Sequence, residues 1–145
     1  MKRVQIVSIQ QVREKSLMVE RKAISSPEIA AEIFQTFLGE IDREAFIIGC
    51  LDMKNQINAL NLVSIGTLNA TLVQPREVFK AAILSNAASI ILCHNHPSGN
   101  QQPSHEDINT TKTLKEAGKI LGIPILDHII LGYNSFFSFK EEGML

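Results

Sequence analysis

Residues 4–9, VQIVSI, alternate apolar and polar positions with the two-residue period of a strand, and a second short strand is expected to pair with them around 16–20. The next stretch, SSPEIAAEIFQTFLG, changes to helical spacing. Ser26 can cap it, Pro27 suits the first helical position, and Glu28 complements the positive end of the helix dipole. Ile29, Ile33 and Phe37, with Ala30, Phe34 and Leu38, form an apolar face, and Gly39 can end the helix. Residues 45–51, AFIIGCL, are apolar without alternation, as in a buried strand. A turn at DMKNQ leads into more strand through 56–65, and GTLNATLV after it reads as either loop or strand. Pro75 opens a second helix in QPREVFKAAILSNA, with Val78, Ala82 and Ile83 facing inward. ASIILC is a third buried strand and runs straight into His94. A longer helix is expected over 104–121, closed by Gly122 and barred from continuing by Pro124, and ILDHIILG and SFFSF are the last strands.

This order predicts an α/β or α+β sandwich: a mixed central sheet with helices on both faces. His94 then falls at the end of a central buried strand, the usual place for a site in such sheets.

Composition narrows the partners. At 145 residues, with 45% hydrophobic and 20% charged, the chain can bury a core as one domain without disulfide or metal staples. A formal net charge of −1 exerts no global pull on nucleic acid or an anionic membrane. Lys2, Arg3, Arg13, Lys15, Arg21 and Lys22 are spread out and interrupted by Glu14 and Glu20, a solvated face rather than a DNA patch. Nucleic-acid contact is therefore expected to be weak or indirect. Cys50 and Cys93 both lie in apolar runs and read as buried reduced thiols. No long apolar span, signal peptide, lipidation site, repeat or linker is visible, so a cytoplasmic protein without membrane attachment is expected; no oligomeric state follows.

HNHPSG, at 94–99, carries the chemistry. In an extended segment residues i and i+2 point to the same side, so His94 and His96 can converge on one ion with Asn95 turned away. Two nitrogens make a poor site; a catalytic zinc typically takes three protein ligands and keeps a fourth position for water. Asp107 is the best third ligand. Pro97, Ser98 and Gly99 break the strand, and Asp107 lies three residues beyond Ser104, in the first helical turn. Taken alone, SHED is a capping box with Asp107 in place of the usual Glu, and a lone HNH is a loop pair.

Read whole, HNHPSGNQQPSHED resembles the JAMM motif of JAB/MPN-domain metallohydrolases: His-x-His, seven residues, Ser, two residues, Asp, filled here by His94, His96, Ser104 and Asp107. The phrases HNHPSG, PSHEDI, GTLNATLVQPREVFKAAI, LDHIILG and SFKEEG look more specifically like the RadC-type branch, over roughly residues 25–142. The resemblance implies a JAB/MPN-like (cytidine-deaminase-like) sandwich over 25–145, with 1–24 as a strand extension packed on the same domain. Larger members carry a helix-hairpin-helix segment before this domain; nothing in this sequence provides one, so a stand-alone domain is expected.

The resemblance further implies a Zn2+ cofactor on His94, His96 and Asp107, with Glu44 as general base for the zinc water and Ser104 as donor to the developing oxyanion. The substrate would be a peptide or isopeptide bond. Read without the family, Glu44 merely ends a polar loop before the strand. Glu40, in that loop, and Glu77, in a first helical turn where the dipole accounts for it, are the competing acids. Cys93 should point away from His94 and pack, and His105 should face solvent. Asp127-His128 is either a structural pair or holds a ligand imidazole from behind. The alternative function is a RadC-type DNA-repair accessory, which near-zero charge, no Trp and one Tyr do not support. A zinc deaminase would need His-x-Glu and Pro-Cys-x-x-Cys, which are absent. A metal-free scaffold is disfavoured because every motif position is filled.

Overall fold

Three helices and five strands follow in the order α1 (Pro27–Leu38), β1 (Ala45–Leu51), β2 (Ile57–Ile65), α2 (Pro75–Leu84), β3 (Ser89–Asn95), α3 (His105–Leu121), β4 (Ile125–Leu131) and β5 (Phe136–Ser138). The computed structural model describes residues 1–66 and 73–145. Most of GTLNATLV, read as loop or strand, therefore lies outside the described residues.

The strands form one mixed sheet, ordered β2-β1-β3-β4-β5. β1 is antiparallel to both β2 and β3, β3 is parallel to β4, and β4 is antiparallel to β5. β1 is buried at every position because the sheet is covered on both faces. Alternation then sorts its residues. Ile47 and Leu51 of β1, Ile91 and Cys93 of β3, and Ile129 and Leu131 of β4 pack with Ile29, Ile33 and Phe34 of α1. Phe46, Ile48 and Cys50, with Ile90 and Leu92, pack with Val78, Phe79 and Ala82 of α2 and Leu114 of α3. Gly49 leaves room for α1: a Cβ there would stand 3.2 Å from the Phe34 ring and closer still to Ile57.

Several local expectations are corrected. Ser26 precedes α1 in an extended conformation, but its side chain makes no capping bond; Pro27 supplies the start and Gly39, at φ 63, the end. In α2 the inward residues are Val78, Phe79 and Ala82, while Ile83 is 50% exposed. At 3.6 residues per turn Ile83 lies roughly 140° around the helix from Val78, past the edge of the face that Phe79 and Ala82 define. The strands expected over 4–9 and 16–20 do not form. Val4, Ile6 and Ile9 are largely exposed, and the chain first meets the sheet at an antiparallel bridge between Ala23 and Gln56. A period of two describes a side-chain pattern; a strand also needs a partner's hydrogen bonds, and here they begin only with Ile57 N–H to Lys22 O and Ile24 N–H to Asn55 O. Among the described residues, no helix is long and apolar enough to cross a membrane.

Candidate metal centre

β3 and β4 run parallel, and the site lies where both end. His94, 1% exposed, is paired in register with Phe46 of β1 and Ile130 of β4. The backbone stays tied to β4 for one more step, with His96 N–H donating to Leu131 O at 2.9 Å. The chain then reverses through Pro97–Ser98–Gly99, where Gly99 adopts φ 87 and its N–H donates to His96 O. Five residues later Ser104 caps α3 with a complete capping box. Ser104 Oγ accepts from Asp107 N–H at 3.0 Å, and Asp107 Oδ2 accepts from Ser104 N–H at 2.8 Å.

That box aims Asp107 at the histidines. Its Oδ1 is 3.2 Å from His94 Nε2 and its Oδ2 3.2 Å from His96 Nε2, while the two Nε2 atoms are 3.0 Å apart. Capping and convergence are thus two uses of one carboxylate. Ligand atoms at about 2.0–2.1 Å from a tetrahedral ion stand roughly 3.3–3.4 Å from each other, so these donors fit a small divalent cation. The chemistry of the set agrees: His96 Nδ1 lies 2.6 Å from the Asn100 carbonyl, which can only accept. Nδ1 therefore carries the proton, and the Nε2 of neutral His96 is a bare donor. Two nitrogens and a carboxylate are a set that suits zinc. Burial pushes the Asp107 carboxyl up, but the hydrogen bonds that protonated His94 and His96 would give it outweigh this and hold it well below the usual carboxylate range. The carboxylate in turn favours protonation of His96 against the opposing effect of burial.

Behind His94 lies a chain of buried polar atoms. Its Nδ1 is 2.8 Å from His128 Nε2, His128 Nδ1 is 2.6 Å from Thr111 Oγ1, and Thr111 Oγ1 donates to the Asp107 carbonyl at 2.7 Å. His128 is fully buried, stacked on Phe139 with centroids 4.7 Å apart, and desolvation lowers its pKa well below the ordinary histidine value. Asp127 points the other way. Its carboxylate accepts from His128 N–H, Lys140 N–H and Ser138 Oγ, fastening the chain after β5 to β4. The Asp127-His128 pair thus divides: the aspartate holds the fold and the histidine meets the site.

Glu44 stands on the wall of a cleft of about 690 Å³ shared with His96, Ser104, Asp107 and His128. Glu40 and Glu77 do not line it, and Glu77 pairs with Lys80 at 2.8 Å. The segment carrying Glu44 is pinned by Asn95. Asn95 Oδ1 accepts from Ala45 N–H at 2.8 Å, and its Nδ2 donates to Arg43 O at 3.0 Å. Ser104 is exposed on the cleft; accepting from Asp107 leaves its own O–H to donate. His105 is exposed and off the cleft wall, and Cys93 packs in the apolar layer under α1 with burial raising its thiol pKa. Thr111 escaped notice in the sequence, although its spacing of four from Asp107 places both on one helix face.

A mixed five-stranded sheet under helices, with His-x-His at a strand end and an aspartate on the next helix, defines a JAB-type domain. The RadC-like JAB domain model matches residues 24–144, and the chain belongs to that family. It is 51% identical over 125 residues to a UPF0758 protein of Desulforamulus reducens, covering 86% of this chain and 55% of that protein. UPF0758 proteins of Methanosarcina barkeri and Shouchella clausii are similar, at 47% over 125 residues and 50% over 123 residues. The chain spans about half the length of these curated relatives.

Proposed function

We propose that this domain is a zinc-dependent hydrolase of peptide or isopeptide bonds working in the cytoplasm. The observation that carries the reading is the convergence of His94 Nε2, His96 Nε2 and the Asp107 carboxylate within 3.0–3.2 Å at the head of a cleft whose wall holds Glu44. Zinc held by these three side chains would supply Lewis acidity and a water acidic enough to lose a proton near neutral pH. Glu44 takes a proton from the attacking water and returns it to the leaving nitrogen. Asn95 keeps the Glu44 backbone against the end of β3. Ser104 donates its O–H to the carbonyl oxygen as charge develops there. The cleft is within the usual size for a bound ligand.

The cleft also speaks against the DNA-repair alternative. Its described lining includes Glu44, Glu106 and Asp107 and no Lys or Arg, so even with a divalent ion bound it offers a phosphate backbone no surplus of positive charge. Elemental analysis of protein purified without a metal-affinity tag tests the site directly. About one zinc per chain is expected in the wild type and almost none in His96→Ala. Equal metal in the two proteins would remove the assigned ligands.

A further inference from the structure

The chain of atoms behind His94 has only one consistent direction. A carbonyl oxygen can only accept, so at the Asp107 carbonyl the 2.7 Å bond uses the single hydroxyl proton of Thr111. Thr111 Oγ1 then has only lone pairs to offer His128, 2.6 Å away, and His128 Nδ1 must carry the proton. A neutral His128 with its proton on Nδ1 has a bare Nε2, so across the 2.8 Å contact it is His94 Nδ1 that donates. Neutral His94 is left with a bare Nε2, 3.2 Å from Asp107 Oδ1 and 3.0 Å from His96 Nε2.

We infer that Thr111 and His128 are positioning residues that select the tautomer of His94 and hold its Nε2 ready for a metal ion. The inference rests on the metal reading above. A buried imidazole has no water to complete its bonds, so a wrong tautomer at His94 would leave two acceptors facing each other at 2.8 Å. The relay begins on the backbone of Asp107, whose carboxylate shares the same site, so α3 and β3 are registered to each other through hydrogen bonds as well as packing. A threonine bonding to the carbonyl four residues back is common in helices. The second contact of the same oxygen, on an imidazole from another element, gives this one a direction to impose.

Thr111→Val keeps the shape and removes the hydroxyl; Thr111→Ser keeps the hydroxyl. Zinc affinity, measured by competition of the zinc ion alone against a chromophoric chelator, should fall about 10–100-fold in Thr111→Val and stay near wild type in Thr111→Ser. Long-range proton–nitrogen NMR of metal-free wild type at mildly alkaline pH should show His94 and His128 both protonated on Nδ1 and bare on Nε2. In Thr111→Val the proton populations should shift toward Nε2. Melting of the metal-free variants separates this from a loss of folding, and the wild-type spectrum needs no variant at all. Unchanged affinity in Thr111→Val, an equal loss in Thr111→Ser, or a wild-type His94 protonated on Nε2 would each overturn the relay. A wild type that takes up no zinc would instead overturn the metal reading, with the NMR still deciding the tautomer.

Discussion

Cys93 and His94 are neighbours on β3, each almost wholly buried, and they face opposite worlds. Cys93 joins Ile47, Ile129 and Phe34 in the layer under α1, where its neighbours are apolar and its thiol donates to the His94 carbonyl at 4.0 Å. His94 faces α3 with both ring nitrogens engaged, one on His128 and one toward His96 and Asp107. Burial alone does not distinguish the two faces; the pairing of polar atoms does. A buried polar group without a partner costs on the order of 1–3 kcal/mol, so the α3 face holds its histidines only because they form a connected chain. That chain emerges where the parallel strands β3 and β4 end, the place where a sheet opens to a ligand.

If the α3 face carries chemistry and the α1 face only stability, substitutions should separate cleanly. The largest effect is expected for Glu44→Gln, which should keep zinc and fold while hydrolysis of an isopeptide or short peptide substrate falls on the order of 10²–10⁴-fold. Retained hydrolysis would transfer the base role to Glu40 or Glu77, or dismantle the mechanism. On the opposite face, Phe34→Ala should cost about 3–5 kcal/mol of stability by denaturant unfolding, through the cavity it leaves against Gly49 and Ile57. Its zinc content at low temperature should match wild type; loss of metal there would show that the two faces are not separable.

Asp107→Asn sharpens the comparison within one residue. The amide oxygen can still accept from Ser104 N–H and complete the cap, yet it is a poorer zinc ligand than a carboxylate. Zinc affinity should fall at least about tenfold while the melting temperature of the metal-free protein changes by only a few degrees. A large melting shift with unchanged affinity would make Asp107 a cap and nothing more. The smallest signal is expected with DNA. Given the acidic cleft and scattered lysines, Kd should be roughly 10⁻⁴ M or weaker at physiological salt and sensitive to salt. Tight sequence-specific binding in a gel-shift titration would revive the repair reading.

The parts legible in the sequence were those encoded locally. Pro27, Pro75 and Ser104 mark helix starts, Gly39 and Gly122 mark ends, and the apolar runs at β1 and β3 announce strands covered on both faces. The spacing of His94, His96, Ser104 and Asp107 was equally readable, because strand alternation, one turn and one helical cap bring all four together within fourteen residues. The N-terminal pattern misled because alternation reports which side chains are apolar and says nothing about whether an edge is there to pair with.

By itself, then, the sequence determined the helix bounds, the buried strands and the three side chains that meet around one point. Tertiary structure alone decided the rest. His128 reaches His94 across 34 residues because β3 and β4 pair in parallel register, and Asp127 is turned away by the same alternation. Thr111 meets His128 only once α3 lies over β4, and Asn95 meets Arg43 and Ala45 only because β1 and β3 are neighbours. Local spacing can set the direction of a side chain, but which atom stands opposite it depends on strand order and register, and these are chosen by the burial of the whole sheet.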